Sequence, residues 1–494
     1  MTTTVTVDVR RQELRLRPDP RRVVARLFVP GQEGLIAGES RAGSVIDRVL
    51  ALDDDQVTAT LEQVRSLFAG RYRDLGAVLE RHYELVAHRV TGPLALSEPR
   101  RLLVGAYFTQ EYAVEAAAVC NPSMVPHPDQ GGTRAGQVRF IMSVRAIGEG
   151  HRSSIEFRTG IVDADGTVAI DEPGTHLSTG RPGPVRYRRK LFHRLLQAND
   201  DDGSSAAFVL DQLPDPFDAE ELAVAIGALR RQLVTRSSAT KTIERMELIA
   251  ASTYLVVFPE HSAISERILL PTAPTESHGM EDARFVRFTA DDGTVEYHAT
   301  YTAYDGGQIT VARLTTNDFS SFISTPLSGR AAVDKGMALF PRPIGGRYVA
   351  LSRWDRTTNS VVLSDDPMVW NEPVSLQSPA EPWDNVQLGN CGSPLETPAG
   401  WIVLTHGVGP MRRYVIGAEL LDLEDPARVI GHLRQPLLVP APDERDGYVP
   451  NVVYSCGAML HDGTLVVPYG ISDANIGVAT IGVDQLLEAL TASP

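Results

Sequence analysis

His278–Tyr304 reads HGMEDARFVRFTADDGTVEYHATYTAY, and its pattern decides the fold. Phe285 to Phe288 alternates Phe and Val with Arg; Glu296 to Tyr304 alternates again after the polar turn Asp291-Asp292-Gly293. Two alternating runs closed by such a turn predict a β-hairpin with one buried face. Glu281, Asp282 and Arg284 stand directly in front of the first strand. Carboxylates at a hairpin mouth are more often turn or cap residues than catalysts, so their weight depends on what else the chain carries.

The same strand recurs. Gln137-VRFIMSVRA, Val295-EYHATYTAY, Gly346-RYVALSRWD, Gly400-WIVLTHGVG and Gly463-TLVVPYGIS are five versions of an alternating run that ends in polar groups. The last four start roughly 50 to 60 residues apart, slightly longer than a propeller-blade repeat. An insert at 165–250 separates the first from the second. It holds a basic stretch (Arg186 to Arg194), an acidic Gly/Ser loop (Asn199 to Ser205) and a helical pattern (Ala219 to Leu233). Five such units predict an all-β core over 98–494, a five-bladed β-propeller. A β-sandwich is the competing fold, but its turn signals recur roughly every 8–12 residues without the longer period. Residues 1–97 read as mostly helical after a strand-like start. There Thr58 to Val90 sets Leu61, Val64, Leu67, Phe68, Leu75, Leu79, Tyr83 and Val86 at helical spacing. Blades around an axis bring equivalent strand ends to one mouth, and the polar residues at those ends are Arg145, Tyr301 to Tyr304, Arg353, His406 and Tyr469.

Composition narrows the function. Lys and Arg number 47 against 62 Asp and Glu, a net charge of −15. That argues against nucleic acid or an anionic membrane as partner, and any bound anion needs a local basic cluster. Cys120, Cys391 and Cys456 are far apart with no C-x-x-C spacing, so neither a disulfide framework nor a zinc site is expected. The opening MTTTVTVDVRRQELRLRPDP has no apolar leader core and no stretch approaches the length of a membrane span, so a cytoplasmic location is expected. Of His151, His278, His298, His406 and Asp282, only His278 and Asp282 are four apart. They lie in a turn entering a strand, where that spacing does not bring side chains together, so no metal is expected.

Several long motifs resemble glycoside hydrolase family 130, the mannoside phosphorylases and related β-mannosidases. They are Gly279-MEDAR, Lys335-GMALFPRPIGGRYVALSR, Gly389-NCGSPLETPAGWIVLTHG, Tyr414-VIGAELLDLEDPARVIG, Val449-PNVVYSCG and Tyr469-GISDANIGVA, in family order across roughly 100 to 485. The resemblance implies a five-bladed propeller. It implies Asp282 as the general acid, thought in the phosphorylases to protonate the glycosidic oxygen through the mannose 3-hydroxyl. It implies Asn121, Ser123, Arg145 and Asp473 as sugar ligands, although Pro122 splits the Asn-Ser pair. Arg353 and His406 match phosphate ligands. Two further anion ligands are altered: Lys335-Gly336 replaces an Arg-Asn or Asn-Lys type pair, and Gln387 replaces a Lys. Arg412 and Arg413 could restore the lost charge.

An inverting glycosidase that uses water needs a second carboxylate about 6.5–9.5 Å from the acid. Phosphate is already an anionic nucleophile, and what it needs instead is Arg and Lys to hold it. Lys335, Arg353, His406 and Arg412 or Arg413 supply such a cluster. The expectation is therefore an inverting β-mannoside phosphorylase acting on β-1,2-manno-oligosaccharides, with phosphate as co-substrate and no cofactor. A phosphate-independent β-mannosidase would recruit Glu281 or Glu396 as base, but Glu281 also reads as orienting Arg284 and Glu396 as part of a turn. A carbohydrate-binding propeller without catalysis is the third reading. The helical region and the insert suit subunit contacts in a homo-oligomer or lids over a neighbour's cleft.

Overall fold

The computed structural model describes residues 7–31, 41–90, 96–232 and 239–492. They fall into two compact units, one of Asp19–Ala116 with Gly174–Ser178, the other of Met1–Pro18, Ala117–Pro173 and Thr179–Pro494.

The smaller unit is mainly helical. Asp53 caps the helix Asp54–Phe68 in a reciprocal capping box with Gln56, and Asp74 caps Leu75–Val86 by accepting from the Ala77 amide. Leu61, Leu75 and Leu79 share one buried cluster, as their spacing predicts, and Leu102 joins it, whereas Leu67 stays 62% exposed. Gly105 permits close approach of the helix Glu98–Tyr107, since a Cβ there would lie 1.9 Å from the Leu79 carbonyl oxygen. Strands Val23–Leu27 and Thr109–Ala113 pair antiparallel beside these helices.

The larger unit is mostly β, and each of the five predicted strands forms. Val138–Ile147 lies between Ala118–Pro126 and Ser153–Val162, and Val295–Tyr304 between Gly279–Thr289 and Ile309–Thr316. Tyr348–Ser352 lies between Ala338–Leu339 and Asn359–Ser364. Gly400–Gly409 lies between Gln387–Asn390 and Arg413–Leu421, and Thr464–Ile471 between Val453–Tyr454 and Asn475–Gly482. A fourth strand extends each group: Val168–Ile170, Ser321–Pro326, Val374–Gln377 and Val429–His432 in the first four. In the last group that place goes to Val9–Leu16, from the opposite end of the chain.

The domain boundary therefore differs from the expected division at 97/98. Val9–Leu16 covers the edge of Asn475–Gly482, which would otherwise expose unpaired backbone groups. Arg11 and Arg15 lock it there through the buried Glu444, at 3.4 and 3.2 Å. The helical region begins only after this strand and runs on to Ala116.

The insert contributes the helices Arg189–Gln197, Ser204–Leu210, Ala219–Arg230 and Ala239–Ala251. Ser204–Leu210 starts inside the stretch expected to be an acidic loop, and Leu233 lies outside the described residues. Phe192, Leu196, Phe217 and Met246 pack with Val286, Val362 and Trp370 of the second and third groups. Burying one such side chain stabilises by about 1.5–3 kcal/mol. Among the described residues no helix is long and apolar enough to cross a membrane.

Candidate active site

Two β-bulges set the site. Register shifts between Cys120 and Ser123 in one inner strand, where Asn121 has φ 49°, and between Glu281 and Arg284 in the next, where Asp282 has φ 56°. A bulge re-aims a side chain away from strict alternation, and Asn and Asp tolerate left-handed backbone best after glycine. The two side chains meet, Asn121 Nδ2 donating to Asp282 Oδ1. Ser472 and Asp473, at φ 47° and 48°, are the central pair of a turn closed by Ala474 N to Ile471 O at 3.0 Å. Asp334, Met411, Arg412 and Asn451 are left-handed too, so strained backbone concentrates in this region.

Here a cavity of about 170 Å³ opens, lined by all five groups. Asn121 and Arg145 come from the first, Asp282 from the second, and Lys335 and Arg353 from the third. The fourth supplies Gln387, His406, Arg412 and Tyr414, and the fifth Val449, Val452, Tyr454 and Asp473. Further along the same inner strands lies a second cavity of about 410 Å³, lined by Met124, Phe285, Arg342, Glu396 and Met459 among others.

Asp282 is buried among cations. Arg145 places Nη1 3.3 Å from Asp282 Oδ1, reaches Glu281 Oε1 with Nη2 at 2.6 Å, and donates from Nε to Ser153 Oγ at 2.8 Å. Lys335 Nζ donates to the other Glu281 oxygen at 2.6 Å. Arg284 donates to the Asp282 carbonyl at 2.8 Å and to the Tyr454 hydroxyl at 3.0 Å. Burial would raise the Asp282 pKa. Lys335, Arg145 and Arg284, with the Asn121 hydrogen bond, outweigh it and hold the carboxyl well below the usual range. Asp473 goes the other way: burial raises it to about 6 against the pull of Arg145. One cavity thus faces two carboxyls with affinities for a proton pushed apart.

Across the cavity, Arg353 donates from Nη1 to His406 Nε2 at 3.1 Å and from Nη2 to Asp334 at 3.3 Å. His406 Nδ1 bonds the Asn390 carbonyl at 3.1 Å. Its proton therefore sits on Nδ1, Nε2 accepts, and the ring is neutral; burial, then Arg353, lowers its pKa to about 3. Gly389 makes this contact possible, because a Cβ there would lie 2.8 Å from both Arg353 Cδ and His406 Cε1. Tyr414 stacks on His406 and lies beneath the Arg412 guanidinium.

Asp282, Asn121, Arg145, Asp473, Lys335, Arg353, His406 and Arg412 thus share one cavity. Ser123 and Arg413 do not line it. Ser123 is fully buried and its Oγ accepts from the Phe285 amide at 3.0 Å, a strand-to-strand tie rather than a sugar contact. Arg413 pairs with Gly409 at the start of its strand. Glu281 serves Arg145 and Lys335, not Arg284 as expected. Glu396 is bonded to Arg342 at 2.7 Å on the second cavity. Tyr301 and Tyr469 turn to the buried Glu276 and Glu444 instead of the cavity. Tyr454 lines the cavity and Asp334 accepts from Arg353, yet neither carries a signal in the sequence: a Tyr in an apolar run reads as core, and an Asp before Lys-Gly reads as a turn.

Residues 249–492 match the family model described as beta-1,4-mannooligosaccharide phosphorylase. A 1,2-beta-oligomannan phosphorylase of Thermoanaerobacter sp. is 34% identical over 220 residues, 43% of this chain and 71% of the relative. A beta-1,2-mannobiose phosphorylase of Listeria innocua is 30% identical over 241 residues, 47% of this chain and 65% of the relative. The solved structure of a Listeria innocua beta-1,2-mannobiose phosphorylase with beta-1,2-mannobiose aligns with 77% of this chain and 93% of its own, at 19% identity and a TM-score of 0.44.

Proposed function

The chain belongs to glycoside hydrolase family 130, and on that premise we propose that it is an inverting phosphorylase of terminal β-mannosides, acting on β-1,2-linked manno-oligosaccharides. It releases α-mannose 1-phosphate. The five antiparallel groups are the blades of a propeller, and the cavity is its axial mouth. The observation that carries the reading is that Asp282 shares one cavity with Lys335, Arg353 and Arg412 in a chain of net charge −15.

Asn121, Arg145 and Asp473 hold the mannosyl unit, and Lys335, Arg353 and Arg412 hold phosphate. His406 contributes by orienting Arg353. The low proton affinity of Asp282 fits this division of labour. Its cationic neighbours keep it ionised until phosphate brings negative charge onto them; that relieves their pull and lifts the carboxyl toward the protonated form an acid requires. Phosphate then attacks the anomeric carbon from the face opposite the departing oxygen, with no base needed. No cofactor or metal takes part, and the enzyme works in the cytoplasm.

Incubating the protein with β-1,2-mannobiose and longer oligomers, with and without inorganic phosphate, tests the reading. Phosphate-dependent appearance of α-mannose 1-phosphate supports it. Mannose released at equal rates without phosphate overturns it in favour of a hydrolase.

A further inference from the structure

We propose that Asp334 sets the enzyme's affinity for phosphate by competing with it for Arg353, an inference that rests on the phosphorylase reading above.

Asp334 and Lys335 are neighbours that face opposite partners. Lys335 turns to Glu281 at 2.6 Å, while Asp334 Oδ2 accepts from Arg353 Nη2 at 3.3 Å. Both side chains of the Asp334–Arg353 pair are largely buried, at 12% and 10% exposure, so solvent screens the contact weakly. Arg353 is otherwise held by His406, which takes one of the two Nη1 hydrogens, and its Nε atom is buried with no hydrogen-bond partner among the described residues. The guanidinium thus offers phosphate the second hydrogen of Nη1 and what Nη2 can spare from Asp334. A phosphate oxygen arriving there meets a fixed negative charge bonded to the same group.

The Asp334 carboxylate is itself held. Its other oxygen lies 3.6 Å from Arg356 Nε, whose side chain is 78% exposed. Its loop is tied to the adjoining strand by Ser352 Oγ donating to the Ala331 carbonyl at 2.7 Å. Each arginine faces one oxygen of Asp334, so the two share one anion. Removing the anion frees Arg353 for phosphate. Removing Arg356 gives Asp334 to Arg353 alone.

Two variants therefore move in opposite directions. Asp334 has φ 59°, a conformation Asn tolerates as well as Asp, so Asp334→Asn removes the charge without forcing the backbone. Arg356, at φ 68°, is likewise suited to Arg356→Asn. Titration of inorganic phosphate into the full-length chain, followed by calorimetry, should show Kd falling about fivefold or more in Asp334→Asn and rising about threefold in Arg356→Asn. Equal or weaker binding in Asp334→Asn overturns the proposal, as does phosphate binding to none of the proteins. So does mannoside hydrolysis without phosphate that Asp334→Asn abolishes, which would make Asp334 a base. If Asp334→Asn tightens phosphate but the parent protein shows no phosphate-dependent cleavage, the phosphorylase reading falls and the competition stands. If cleavage depends on phosphate but its affinity does not move, the competition alone falls.

Discussion

Arg353 and His406 are joined Nη1 to Nε2 at 3.1 Å, with the guanidinium as donor and the imidazole as acceptor. The histidine therefore adds no positive charge to the anion side of the cavity. It fixes the direction of a residue that does. His406→Ala should raise KM for phosphate about tenfold, the scale of one charge-assisted hydrogen bond, with a smaller change in KM for mannoside. Initial rates against each substrate separate the two. Because the ring stays neutral down to about pH 3, parent and variant should also share the same pH profile between pH 5 and 8. A histidine-like limb lost in the variant would show that His406 binds phosphate as a cation.

Asp282→Asn keeps the shape of a side chain bonded to Asn121 and Arg145 but cannot deliver a proton. General acid catalysis contributes about 10²–10⁴-fold, so kcat should fall by that factor while oligosaccharide binding persists. Calorimetric titration with β-1,2-mannobiose, beside single-turnover rates, reads both. A fall of less than tenfold would remove Asp282 from the role of acid.

The fold and the candidate site were legible in the sequence to different depths. The five alternating runs were plain because a half-buried strand has period two wherever it occurs. Arg353 and His406 stood at the ends of those runs, so the repeat itself pointed to one mouth, whereas Asp282 stood in front of a neighbouring strand and drew its weight from the family resemblance. Val9–Leu16 was readable as a strand, yet nothing local says that its partner is Asn475–Gly482, since β pairing across the whole chain leaves no mark in either segment. Ser123 shows the opposite limit. Regular alternation would put Asn121 and Ser123 on one face; the bulge breaks it, so Asn121 lines the cavity while Ser123 is buried against Phe285. Charge state was hidden too: His406 is read as a cation from its family match, and only its bond to the Asn390 carbonyl shows otherwise.

Asp473 supplies a pH test. Burial lifts its pKa to about 6 from the ordinary 3.8, so in the free protein it ionises close to neutrality. Sugar hydroxyls donate better to the carboxylate than to the acid, so mannoside affinity should rise as pH passes upward through about 6. Asp473→Asn should abolish that limb and match the parent most closely at pH 5. Binding is the right readout here, because phosphate titrates nearby and would blur turnover. A pH-dependence that survives in the variant would assign the limb to another group.

Gly105 tests the helical unit. Alanine in a helix interior normally gains about 1 kcal/mol over glycine. Here the added Cβ would lie 1.9 Å from the Leu79 carbonyl oxygen, and that oxygen is backbone that cannot rotate away. Overpacking of this kind costs about 1–3 kcal/mol or more and should outweigh the propensity gain. Gly105→Ala should therefore lower the melting temperature; a rise would mean that the two helices separate at little cost.

Glu419 offers a test of the β unit away from the cavity. It is fully buried in the strand Arg413–Leu421. Burial, with the nearby Asn359 opposing and the Asp384 charge adding, lifts its pKa from 4.5 to about 8. The folded protein therefore holds a proton that the unfolded chain gives up near pH 4.5. Its contribution to stability is whole below about 4.5 and is lost progressively as pH rises through 8, on the order of 5 kcal/mol across that window. Glu419→Gln keeps the size and a neutral amide in place of the protonated acid, so it should match the parent near pH 5 and exceed it at pH 9. Urea unfolding at the two pH values measures the difference. If the two proteins lose stability in parallel as pH rises, Glu419 is ionised in the fold and the proton it is taken to hold is not there.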